Sequence, residues 1–180
     1  MNRLILLRHA VALPRAAGAE DRERALDSQG RIQAESAGDW LAARGFAPDL
    51  VLVSPARRTR ETWAAAAPRL PTAPVVEDEA LYDAMPEDIL AAVERESGEA
   101  RTVLVVAHNP GLQELAQLLL ARGRGVGLET VSRGFPTASA AVINLTTPED
   151  PWLEGRFDPA METPPGPAPR PQATGPGDRA

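Results

Sequence analysis

The 180-residue chain contains no cysteine. Disulfides, thiolate metal sites and a cysteine nucleophile are therefore excluded. It contains no lysine either, so all 19 basic side chains are arginine. Schiff-base chemistry, pyridoxal phosphate attachment and the phosphate-loop lysine go with it. Cationic work falls to arginine, whose planar fork holds two oxygens of one phosphate. No apolar run approaches the about 20 residues a membrane helix needs. Arg8 and His9 interrupt the N-terminal run too early for a secretory signal, so a cytoplasmic protein is expected. The formal net charge of −6 disfavours nucleic acid and anionic membranes as partners. No spacing gathers histidine and carboxylate ligands, so neither metal nor other cofactor is expected.

The chain has only 2 histidines, and each follows a short apolar run. His9 comes directly after Leu4-Ile5-Leu6-Leu7-Arg8, and His108 after Val103-Leu104-Val105-Val106-Ala107. Runs of this kind, bounded by turn residues, read as buried parallel strands. Ligands of open α/β sheets bind beyond the carboxyl ends of such strands. Both imidazoles are thus predicted to face one crevice, with Arg8 beside the first.

Asp27 or Ser28 can cap a helix carrying Ile32, Ala37, Trp40 and Leu41 on its inner face, stopped by Gly45. Asp49 to Val53 reads as a strand. Pro55 opens a helix to about Ala67, ended by Pro68. Pro74 to Val76 reads as a short strand. Pro86 opens a helix to about Arg95 with Ile89, Leu90 and Val93 inward. Arg101 to Ala107 is a strand. Asn109 can cap a helix from Pro110 that buries Leu112, Leu115, Leu118 and Leu119. Ala138 to Leu145 is an alternating strand, and Arg156 to Asp158 an edge. Alternating strands and helices predict one α/β domain over residues 1–158: a three-layer α/β/α sandwich around a mostly parallel sheet. Residues 159–180 turn rich in proline and glycine and read as a disordered tail.

Ser54 ends the second strand, and Ser54-Pro55-Ala56-Arg57-Arg58-Thr59-Arg60-Glu61-Thr62 follows. Several arginines thus stand on the first turns of a helix whose free N–H groups already favour anions. The helix at Pro110 aims a second N-terminus at the same crevice. Two imidazoles, two helix N-termini and at least two guanidinium groups fit a dianionic phosphoryl group. A neutral imidazole can attack phosphorus and form a covalent phosphohistidine. Arginines then stabilise the equatorial oxygens, and the second histidine can bond one of them as imidazolium.

Arg8-His9-Ala10, the Ser54–Thr62 segment and His108-Asn109-Pro110-Gly111 together resemble the motifs of the histidine phosphatase superfamily. They are most similar to its short SixA-type branch of phosphohistidine phosphatases. Leu26-Asp27-Ser28-Gln29-Gly30, Leu81-Tyr82 and Phe135-Pro136-Thr137 resemble further landmarks of that branch. The resemblance implies the phosphoglycerate-mutase-like fold. It also implies His9 as the phosphorylated nucleophile, Arg8 and Arg58 as phosphate ligands, and His108 as the second pocket histidine. Ala10 stands where many members have glycine, which requires a backbone that is not left-handed there. Glu61 replaces a common glutamine and is expected to face away or pair with an arginine. The general acid has no clean match; Glu79 and Asp83, flanking Leu81-Tyr82, are the candidates. Ser54 is a turn or cap residue, or lines the pocket, and Thr137 is similar.

These features predict a metal-independent phosphatase acting on phosphohistidine in a phosphorelay or histidine-phosphotransfer protein. A phosphomonoesterase of small phosphorylated metabolites and a catalytically silent phosphate-binding module are the alternatives.

Overall fold

The apolar runs form the middle of one six-stranded sheet. In the computed structural model, which describes residues 1–161, the strands are β1 (Arg3–Arg8), β2 (Leu50–Val53), β3 (Val75–Glu77), β4 (Thr102–Ala107), β5 (Ala140–Asn144) and β6 (Trp152–Phe157). Their order is β3-β2-β4-β1-β5-β6. The pairs β1–β4, β2–β4 and β2–β3 are parallel; β1–β5 and β5–β6 are antiparallel. Every residue of β2 and β4 is buried, as expected of parallel strands covered on both faces. Of the expected tail, residues 162–180 lie outside the described residues.

Side chains alternate across the sheet, and the two cores follow that period. Leu4, Leu6, Val103 and Val105 pack beneath α3 (Pro86–Glu96) and α4 (Gly111–Arg122). Ile5, Leu7, Leu104 and Val106 pack on the opposite face, under α1 (Ser28–Ala43) and α2 (Arg57–Ala66). The three-layer sandwich is thus the observed architecture.

Local chemistry sets the helix ends. Asp27 caps α1 by accepting from the Gly30 N–H at 2.6 Å. Gly45, at φ +69°, closes it: its N–H reaches the Ala42 carbonyl and the Phe46 N–H reaches that of Leu41. This left-handed stop places Phe46 against Trp40, ring centroids 5.6 Å apart. Two inward assignments need correction. Ile32 is 54% exposed, because it lies nine positions from Leu41, about two and a half turns, and so faces the other way. Leu118 is 48% exposed and stands at the edge of α4 beside Met85 and Leu128. Asn109 does not cap α4: its amide donates to the Phe135 carbonyl instead, and Pro110 occupies the cap position. α2 starts at Arg57 rather than Pro55.

A fifth helix, α5 (Leu128–Ser132), has no counterpart in the sequence reading. β6 begins at Trp152, earlier than the expected edge, and carries a bulge: Val142 opposes Gly155 and Ile143 opposes Leu153, leaving Glu154 over. Glu154 uses the freedom to bind Arg3 at 2.7 Å.

Gly30 joins α1 to the segment following His9. A Cβ there would lie 2.0 Å from the Val11 carbonyl oxygen. Gly30→Ala is expected to destabilise the fold by about 1–3 kcal/mol, the usual range for overpacking, read as a lowered denaturant midpoint.

Candidate active site

The strand ends of β1, β2 and β4 meet, because β4 lies between the other two in parallel register. His9, Ser54 and His108 are the residues immediately after those strands. The two imidazole centroids are 5.3 Å apart. The sheet ladder continues into them: the His9 N–H donates to the Ala107 carbonyl and the Ser54 N–H to that of Val106. Both rings therefore stand on rigid backbone.

His9 Nδ1 lies 2.8 Å from the Ala10 carbonyl oxygen. A carbonyl only accepts, so Nδ1 carries the proton and Nε2 keeps its lone pair. Burial, aided by the charges of Arg58 and Arg8, pushes the His9 pKa down to about 4, against the opposing hydrogen bond to Ala10. The ring is neutral at neutral pH. Ala10 is fully buried and its backbone is not left-handed.

His108 is 5% exposed. Its Nδ1 faces the Arg58 guanidinium at 3.4 Å and its Nε2 the Ser54 hydroxyl at 2.7 Å. Arginine has no acceptor, so Nδ1 accepts and Nε2–H donates to Ser54 Oγ. Burial first, and then Arg58, pushes the His108 pKa to about 3. Without bound phosphate His108 is neutral too; a dianion at Nδ1 is what favours the imidazolium. Ser54 is fully buried and serves as the partner of His108. Ser54→Ala is expected to cost about 1–3 kcal/mol of stability, as for any buried donor left unpaired, and to lower kcat.

Arg58 is only 4% exposed. Its Nη1 donates to the Asp21 backbone carbonyl at 2.8 Å, and its Nη2 pairs with the Asp21 carboxylate at 3.0 Å. Thr62 Oγ1 donates to the Arg58 carbonyl at 2.6 Å and accepts from the Ala10 N–H at 3.0 Å, tying α2 to the loop after β1. Arg8 Nη1 donates to the Phe135 carbonyl at 2.7 Å. The Nε atoms of both arginines are buried without a hydrogen-bond partner among the described residues. Arg57 and Glu61 pair on the outside at 2.8 Å, and Glu61 also accepts from the Leu26 N–H. The extra carboxylate is thereby held by arginine.

Tyr82 stands edge-on to His108, centroids 5.5 Å apart, and its hydroxyl points to Asp21 at 3.3 Å. Asp21, in the short 3₁₀ turn Asp21–Glu23, carries no signal of this role in the sequence. Glu79 sits at the rim, paired with Arg22, whose guanidinium lies over the Tyr82 ring. Asp83 is exposed, at φ 49°. Thr137 is half-buried, directly before Ala138, whose N–H donates to the His9 carbonyl. His9, His108, Arg8 and Arg58 are thus gathered at the strand ends, while Glu79 and Asp83 lie at or outside the rim.

Because both rings are depressed below 6.5, the unfolded chain binds more protons than the fold between that value and about 4. Stability therefore rises with pH across this window and is lost on acidification. We expect Tm to fall as pH is lowered from about 6.5 toward 4, and kcat/KM to drop on an acid limb near the His9 pKa of about 4. Calorimetry and a pH–rate profile check the two.

Residues 4–89 match the family described as histidine phosphatase superfamily (branch 1). An uncharacterised protein of Mycobacterium tuberculosis is 36% identical over 131 residues, 71% of this chain and 80% of that protein. The crystal structure of a candidate phosphohistidine phosphatase SixA from Agrobacterium tumefaciens superposes with TM-score 0.77 at 30% identity, covering 87% of this chain and 97% of that one. A counterpart from Nakamurella multipartitia gives TM-score 0.74 at 30% identity, covering 88% and 96%. Among the described residues no helix is long and apolar enough to cross a membrane. With this agreement of motif, fold and site, the chain is a phosphatase belonging to the histidine phosphatase superfamily, in its SixA-type branch.

Proposed function

We propose that the enzyme removes the phosphoryl group from a phosphohistidine of another protein, without a metal, through a covalent intermediate on His9. The observation that carries the mechanism is the hydrogen bond from His9 Nδ1 to the Ala10 carbonyl at 2.8 Å, which leaves Nε2 as the nucleophile. Arg8 and Arg58 hold the equatorial oxygens, with His108 Nδ1 as a third donor once the dianion raises its pKa. Nε2 attacks phosphorus, the bond from phosphorus to the substrate imidazole breaks, and that imidazole leaves with its electron pair and takes up a proton. Water then attacks the phosphoenzyme, releases inorganic phosphate and restores neutral His9. Positive charge comes from guanidinium groups and from the N-termini of α2 and α4, which is why no metal enters the scheme.

Leaving-group chemistry supports the substrate class. An imidazole on a labile N–P bond depends less on a strong acid than an alkoxide does. Glu79 and Asp83 remain the candidate proton donors, the first already held by Arg22. No inserted domain separates α2 from β4; that stretch holds β3, short 3₁₀ turns and α3. A histidine presented on a protein surface can therefore reach the strand ends.

A substrate panel tests the reading: phosphohistidine protein, phosphoserine peptide, nucleotides and sugar phosphates, each with and without chelator. Preference for phosphohistidine, indifferent to chelator, is the expected result. Preferential turnover of the small esters overturns the substrate, and loss of activity with chelator overturns the metal-free scheme.

A further inference from the structure

Beside the phosphoryl pocket lies a cleft of about 810 Å³ that the mechanism does not use. Arg8, Phe135, Arg133, Arg156 and Asp158 are among its lining residues. Arg8 is the link to the catalytic site, since its guanidinium donates to the Phe135 carbonyl. Arg156, from β6, lies over the ring of that same Phe135 at 4.4 Å. Both guanidinium groups therefore contact Phe135, one at its carbonyl and one at its ring.

Arg156 is an unusual place to keep a cation. Its Nη2 donates to the Gly134 carbonyl at 2.9 Å, while Nη1 is buried with no hydrogen-bond partner among the described residues. Burial lowers its pKa, with only the charge of Asp158 opposing. A buried donor without a partner is costly, more so on a charged group. Nη1 has no exposed surface of its own, but the Arg156 side chain lines the cleft, and a stacked guanidinium there is a ready receptor for an oxyanion. Arg133 contributes less, because Glu129 holds it at 2.6 Å. With Arg133 engaged and Asp158 also on the wall, the local positive field is modest. That suits the single charge of a carboxylate better than a second dianionic phosphoryl group.

We propose that this cleft is a second subsite, in which Arg156 binds a carboxylate that the substrate carries near its reacting phosphoryl group. On the reading above, which it extends, that carboxylate is an acidic side chain beside the phosphohistidine. The enzyme then selects among phosphohistidine proteins by their local acidity, through an electrostatic contact made outside the reacting atoms.

Binding, not turnover, tests it, so failure here is read separately from failure to hydrolyse phosphohistidine. Calorimetric Kd values are compared for methylphosphonate and for a series of ω-phosphonocarboxylates with spacers of increasing length. At least one member is expected to bind the native protein tenfold or more tightly than methylphosphonate. Arg156→Met is expected to abolish that advantage, and Arg156→Lys to keep part of it, with melting curves confirming that both variants are folded. The proposal is overturned if no phosphonocarboxylate outbinds methylphosphonate. It is equally overturned if the advantage survives Arg156→Met, or if Arg156→Met weakens both kinds of ligand by the same factor, which marks a structural role alone.

Discussion

Replacing His9 with alanine is expected to lower kcat on a phosphohistidine substrate by on the order of 10⁴-fold or more, as loss of a covalent nucleophile does elsewhere. The reason is specific to this ring. Its Nδ1 is spent on the Ala10 carbonyl, its Nε2 lone pair is kept free by a pKa pushed down to about 4, and the only other imidazole has its Nε2 bound to Ser54. His108 therefore has no free nitrogen aimed as a substitute nucleophile. Rapid quench with a labelled phosphoryl donor reads the same event: the native enzyme should hold an acid-labile, base-stable label that the variant lacks. Full activity in His9→Ala sinks the covalent scheme.

Arg58→Met is expected to reduce kcat/KM by about 10²–10³-fold, the cost of losing one preorganised donor to a charged transition state. A second effect follows from its contact with His108. Arg58 is the largest charge holding that imidazole's pKa down, after burial itself. Its removal should raise the His108 pKa above about 3, visible as a shifted imidazole titration by NMR. The fold should survive, because Asp21, with its side chain 38% exposed, can be rehydrated when its partner goes. An unchanged His108 titration with lost activity would separate Arg58's phosphate contact from its influence on the ring.

The sequence carried the parts of this molecule that local chemistry decides. β4 was legible as Val103-Leu104-Val105-Val106, because a strand buried on both faces shows an unbroken apolar run. Asp27 and Gly45 announced the ends of α1 by side-chain capping and left-handed backbone. His9, Arg8, Arg58 and His108 were legible because each sits at a strand end or one turn beyond it. Asp21 was not, because nothing within its own segment records that Arg58, far along the chain, folds over it. Ser54 was half legible: its place at the strand end was plain, but its partner across the sheet was not. Ile32 and Leu118 misled for the opposite reason. Apolar residues near an amphipathic stripe look buried, and only their angle on the finished helix shows them facing outward. β6 escaped in part because a bulge at Glu154 breaks the alternation that marks a strand.

The continuation of the sheet ladder through the backbone of His9 and Ser54 has a consequence for how this enzyme fails. Those amides are hydrogen-bonded to β4, the best-covered strand of the sheet, and β4 has no edge to fray. Opening the site means separating the central strands, which is the same event as losing the fold. Exchange of the His9 and Ser54 amides with solvent thus belongs with the slowest class in the molecule, while α5 and β6 can loosen without disturbing the reacting atoms. As the temperature rises, each surviving molecule should keep its two imidazoles in register at the strand ends, while contacts that depend on β6, such as that of Arg156 with Phe135, loosen first.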